Sequence, residues 1–89
     1  EILARKRLVK VDGISHKLPR LQFELLLYLS KTPGEVYTRD EILAAVWKTS
    51  FQDPTTVDVH VTALRKLVGK ERIVTFRGVG YSWNNEMEL

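Results

Sequence analysis

The stretch "TTVDVHVTALRK", Thr55 to Lys66, decides how this chain of 89 residues is to be read. At about 100° per residue, Val57, Val61, Leu64 and, one turn on, Val68 fall on one narrow face, with His60 and Leu67 on its shoulder. That pattern predicts an amphipathic helix packed inward through its valines, beginning at Pro54 or Thr55 and stopped by Gly69. The opposite arc carries Thr55, Asp58, Val59, Thr62, Ala63, Arg65 and Lys66. A solvated helix commonly shows a checkerboard of Glu and Lys there. Here the arc mixes hydroxyl, methyl and cation. Short side chains permit close approach, and a smooth centre with basic flanks suits the floor of a DNA major groove, where methyls touch thymine and guanidinium groups grip phosphate. A plain surface helix with incidental threonines is the other reading of this face taken alone.

Working outward, Pro19 opens a second helical pattern, with Leu21, Leu25, Leu26 and Leu29 at helical spacing and Phe23 and Leu27 widening the apolar arc; Thr32-Pro33-Gly34 ends it. "TRDE" places Thr38 as a cap and Glu41 three residues later, a capping box that starts a short helix buried through Ile42, Leu43, Val46 and Trp47. "KTSFQDP" has no periodicity and is a loop. Before the helices, Leu8, Val9 and Val11 lead into an Asp12-Gly13 hairpin turn and Ile14 to Leu18 returns. After them, "RIVTF" and "YSW" flank "RGVG" and form a second hairpin, with Arg77 at a turn thinned by glycines. Such a tip can enter a minor groove or lie along phosphates. A lone Gly-x-Gly with no following helix and no Walker lysine argues against a nucleotide loop.

At this length the chain holds one core, and residues 1–89 are read as a single domain with a tail, 84–89, expected to fray. It opens on Glu1 with no basic-then-apolar leader and no apolar run of membrane-spanning length, so a soluble, cytoplasmic piece of a longer protein is expected, with no membrane partner. There is no cysteine, which excludes disulfides and thiolate metal sites. The formal charge is +3. Between Pro54 and Trp83 the cations Arg65, Lys66, Lys70, Arg72 and Arg77 face only Asp58 and Glu71, which accounts for the excess; a second basic run, Arg5, Lys6, Arg7 and Lys10, is answered by Asp12. Catalysis has little to stand on, since His16 and His60 lie on different elements without a nucleophile, paired carboxylates or a third ligand. No cofactor or metal is expected.

"LPRLQFELLLYLS", "PGEVYTRDEILAAVW", "TTVDVHVTALRK" and "IVTFRGVGYSW", in this order and spacing, resemble the OmpR/PhoB-type winged-helix domain of bacterial two-component response regulators over Leu18 to Trp83. The resemblance implies an α+β fold: a winged helix-turn-helix with a four-stranded N-terminal antiparallel sheet, a three-helix bundle and a C-terminal β-hairpin wing. It implies sequence-specific binding of double-stranded DNA by a transcriptional regulator, with the helix at 55–68 in the major groove and the wing at 73–83 on the minor groove or backbone. By position, Thr55, Val59, Thr62, Ala63, Arg65 and Lys66 would face DNA, with His60 near the backbone. Arg39 and Trp47 would support phosphate contacts, and Thr75 and Arg77 would serve the wing. Lys48, Thr49, Ser50, Phe51, Gln52 and Asp53 would form the loop presented to RNA polymerase. An upstream receiver domain and a dimer on repeated half-sites are further implications. Where the family usually carries an arginine before its TVD signature this chain has Thr55, and Thr62 and Ala63 stand where cations are frequent.

The rival reading is a winged helix that binds protein. Trp47, Phe51 and Trp83 would then anchor the interface, and binding would resist salt, whereas phosphate binding weakens steeply with it.

Overall fold

The computed structural model describes residues 2–49 and 52–86. Two small sheets bracket the helices. Strands β1 (Ile2–Leu3), β2 (Leu8–Val11) and β3 (Ile14–Lys17) form an antiparallel meander, with Val9 opposite His16 and Val11 opposite Ile14 across the Asp12-Gly13 turn. Both turn residues have positive φ, as a two-residue hairpin requires. The described residues thus supply three of the four strands implied for this sheet.

Helix α1 (Arg20–Ser30) buries Phe23, Leu25, Leu26 and Leu29, while Leu21 and Leu27 remain half-buried at the rim. Pro19 lies one position earlier than the first helical turn expected for it: its ψ of 150° is extended, and its carbonyl accepts the first helical bond, from Phe23 N at 2.9 Å. β4 (Val36–Thr38) follows, a strand of three residues that is too short to show alternation in the sequence. Helix α2 begins at Arg39 on the expected capping box: Thr38 Oγ1 accepts from Glu41 N at 3.1 Å and Glu41 Oε1 accepts from Thr38 N at 2.8 Å. After Ile42 it widens into a π turn over Leu43–Trp47 and ends at Lys48, whose φ of 59° is left-handed.

Helix α3 (Thr55–Val68) stops at Gly69, φ +98°, as the sequence indicates. β5 (Ile73–Phe76) and β6 (Gly80–Trp83) make the C-terminal hairpin, closed by the pair Phe76 and Gly80 around Arg77-Gly78-Val79. The second sheet has the order β4-β6-β5, so the hairpin is joined through Thr38–Gly80, Tyr37–Tyr81 and Val36–Ser82 to the strand that precedes α2. Gly80 is obligatory there. A Cβ on it would sit 1.9 Å from the Tyr37 carbonyl oxygen.

One core joins both sheets to the helices through Val9, Leu25, Leu29, Ile42, Leu64 and Ile73 among others, and Trp83 belongs to it. Asn84 is bonded back to the segment before β5, its N–H donating to Arg72 O at 2.8 Å and its amide to Glu71 O at 3.0 Å.

Candidate nucleic-acid interface

Helix α3 owes its start to Asp53. That carboxylate accepts from Thr55 N at 2.9 Å and from Thr55 Oγ1 at 3.0 Å, and these bonds, the backbone one foremost, hold the carboxyl below its usual range. A side-chain oxygen satisfying a first-turn N–H is the physics of an N-terminal cap. Gln52 adds a bond from Nε2 to Thr56 Oγ1 at 3.3 Å. Of the loop expected to meet polymerase, Gln52 and Asp53 therefore brace α3, Lys48 and Thr49 follow α2, and Ser50 and Phe51 lie outside the described residues.

Around its axis α3 divides into a buried face and three outward sectors. Val57, Val61, Leu64 and Val68 are buried as expected. Directly opposite, Thr55, Val59, Thr62 and Lys66 form an exposed stripe, with Ala63 half-buried beside it. Val59 is 66% exposed despite being apolar. Thr62 donates its hydroxyl to the Asp58 carbonyl at 2.9 Å, so its one donor is already engaged within its own helix. The centre of the stripe is consequently short and poor in available hydrogen-bond donors, which suits contact with methyls.

On one flank, His60 meets the end of α2. Its ring stands edge-on to Trp47, centroids 5.0 Å apart, and Nδ1 lies 3.0 Å from the Thr56 carbonyl. Both expected backbone-proximal residues are thus brought together, each positioned by the other.

The other flank faces the hairpin. Arg65 donates from Nη2 to Ile73 O and to Thr75 Oγ1, both at 2.6 Å, and its guanidinium lies 5.7 Å from the Tyr81 ring centroid. Two turns earlier on the same side, Asp58 accepts from Arg39 Nη1 on Oδ2 at 3.0 Å and from the Tyr81 hydroxyl on Oδ1 at 2.5 Å. Burial first, and the Asp58 bond second, push Tyr81 up to about 12. Arg39, Asp58, Thr75, Arg77 and Tyr81 together line a cleft of about 170 Å³ between helix and hairpin. Asp58 and Tyr81 were not among the expected site residues. Their signal was present: Asp58 is an acid in an otherwise cationic arc, and Tyr81 follows the glycine that lets β6 approach β4.

Charge is distributed unevenly over these groups. Arg39 is compensated by Asp58, whereas Arg65 is bonded to neutral oxygens and keeps its charge. Lys66 and Lys70 rim an open hollow with Thr62, Arg65 and Gly69, and Arg77 is exposed at the hairpin tip. Among the described residues no acid pairs with Arg65, Lys66, Lys70 or Arg77. Nor do the described residues offer three His, Asp or Glu side chains placed to hold a metal, or a helix long and apolar enough to cross a membrane.

The family model described as "Transcriptional regulatory protein, C terminal" matches residues 13–83. The transcriptional regulatory protein ResD of Bacillus subtilis is 42% identical over 82 residues, covering 84% of this chain and 34% of ResD. This chain accordingly spans about a third of the length of that relative. The DNA-binding domain of Bacillus subtilis CssR superposes with a TM-score of 0.86 at 29% identity, covering 93% of this chain and 97% of that one. The Klebsiella pneumoniae RstA DNA-binding domain, solved in complex with the RstA box, gives 0.82 at 28% identity over 93% of this chain and 88% of that one. With the β4-β6-β5 sheet, the capped second helix and the α3 stripe already in place, the matches settle the family: the chain belongs to the OmpR/PhoB-type winged-helix effector domains of bacterial transcriptional regulators.

Proposed function

We propose that this domain binds duplex DNA sequence-specifically by laying the Thr55–Val59–Thr62–Lys66 stripe of α3 in the major groove while Arg77 reaches the adjoining minor groove or backbone. The observation that carries this reading is the stripe itself: free of acids, ending on Lys66 and flanked by Arg65, Lys70 and Arg77, four cations that no acid compensates among the described residues. Its family relatives are transcriptional regulators, not enzymes. A stripe of this length touches only a few base pairs, too few to single out a site in a genome, which favours two domains on repeated half-sites about one helical turn apart. In the full-length protein an upstream receiver domain would control that pairing. The segment 48–53 would meet RNA polymerase, and the protein would work in the cytoplasm.

Titration of a duplex selected by the domain from a random pool, repeated across salt concentrations, tests the reading. Four uncompensated cations predict a log-log slope of roughly −3 to −4. A flat slope would transfer the domain to the class of protein-binding winged helices.

A further inference from the structure

An acid on a surface that meets phosphates weakens binding, so the position of Asp58 calls for a physical account. Its two oxygens are both occupied, by Arg39 from the start of α2 and by Tyr81 from β6. Seven residues on, Arg65 binds β5 through Ile73 O and Thr75 Oγ1 and lies over the same Tyr81 ring. Two side chains on one flank of α3 thereby hold both strands of the hairpin. These polar bonds link helix and hairpin across the cleft they share. We propose that Asp58 is a positioning residue for sequence discrimination, fixing the hairpin and Arg39 relative to the reading stripe so that the two elements engage DNA as one rigid unit.

The proposal rests on the DNA-binding reading above. Its energetic logic opposes two effects. The carboxylate repels phosphate wherever the domain lands, which lowers affinity for all sequences alike. The fixed hairpin favours only those sites whose groove spacing matches it, since a preorganised surface avoids ordering on binding. Asp58 therefore lowers indiscriminate binding and raises selectivity, although both its oxygens are engaged within the protein.

Three variants separate charge from geometry. Asp58→Asn keeps the shape and removes the charge, Asp58→Ala removes both, and Tyr81→Phe deletes one bond to Asp58 while leaving the charge intact. The probes are a duplex selected by the wild-type domain from a random pool and the same duplex with its sequence shuffled. Asp58→Asn should bind the shuffled duplex more tightly, with a salt slope steeper by about 0.9 because Arg39 is released to neutralise a phosphate. Tyr81→Phe should leave the slope unchanged and reduce the preference for the selected duplex about fivefold, the effect of losing one partly exposed hydrogen bond to a charged group. A merely structural Asp58 would lower thermal stability without moving the ratio of the two affinities, and that result overturns the proposal.

Amide hydrogen exchange without DNA supplies an independent arm. Asp58→Asn and Tyr81→Phe should speed exchange in the β5–β6 ladder relative to α1. Unchanged exchange there overturns the proposal. If the wild-type domain selects no sequence at all, the DNA-binding reading falls, and the proposal with it, whatever the exchange shows.

Discussion

Val59 offers the sharpest test of how the helix reads, because folding and binding should respond to its truncation in opposite directions. Val59→Ala removes two methyl-sized groups from a side chain that is 66% exposed, so the folded domain loses little packing. Alanine also favours helix over valine by roughly 0.5 kcal/mol, and the melting temperature should hold or rise slightly. In the complex the same groups would be covered by thymine methyls. At ~0.8 kcal/mol per buried methylene, losing both costs up to about 1.6 kcal/mol, or roughly fifteenfold in Kd. Replacing one thymine of the selected site by deoxyuracil removes the partner methyl instead and should cost about fourfold. The two losses describe one contact, so they should not add: Val59→Ala on the deoxyuracil duplex should lose distinctly less than on the thymine duplex. Fluorescence anisotropy at fixed salt measures all four combinations. The salt slope should be common to all of them, since no charge changes. Strictly additive losses, or deoxyuracil duplexes bound as tightly as thymine duplexes, would refute the apolar readout and with it the role of this stripe.

Three further outcomes follow from the geometry. Arg77→Ala should weaken binding and flatten the salt slope by about 0.9 with no change in melting temperature, because the tip arginine is exposed; a sharp thermal loss with retained affinity would make it structural. Gly80→Ala drives a Cβ to within 1.9 Å of the Tyr37 carbonyl oxygen and must part β4 from β6, so a loss of about 2–3 kcal/mol and a fall on the order of 10 °C in melting temperature are expected; calorimetry showing none would mean the strands adjust freely. Tyr81 holds its proton more tightly folded than unfolded, so its contribution to stability is complete below pH 10 and is lost as pH rises toward about 12; denaturant titrations of Tyr81→Phe should lack that part of the alkaline decline.

How much of this was legible beforehand depends on the length scale of each signal. The valine face of α3, the glycine that ends it, the Thr38–Glu41 cap and the Asp12-Gly13 turn are local: each is set by residues within a few positions of one another, and each stands as expected. β4 was not legible, because three residues carry no period and its status as a strand comes entirely from β6, far along the chain. The same holds for the polar flank. Arg65 and Arg39 read in isolation as two equivalent cations, yet one is bonded to neutral wing oxygens that leave its charge uncompensated and the other is paired with a carboxylate, and only the fold brings those partners near. The loop at 48–53 divides likewise, since Asp53 serves the helix that follows it.

The position of β4, first of the second sheet's strands in the chain and at its edge in space, constrains how the molecule can be made. Its partner β6 follows only after α2, α3 and β5, so until that strand has been made β4 presents unpaired backbone groups that can recruit a neighbouring strand. The long loop closed by this pairing delays its reward, and the hairpin should therefore join a helical core that has already formed. Chains truncated before Gly80 should be prone to association rather than simply lacking a wing, and ribosome-bound intermediates of that length are where a chaperone has most to do.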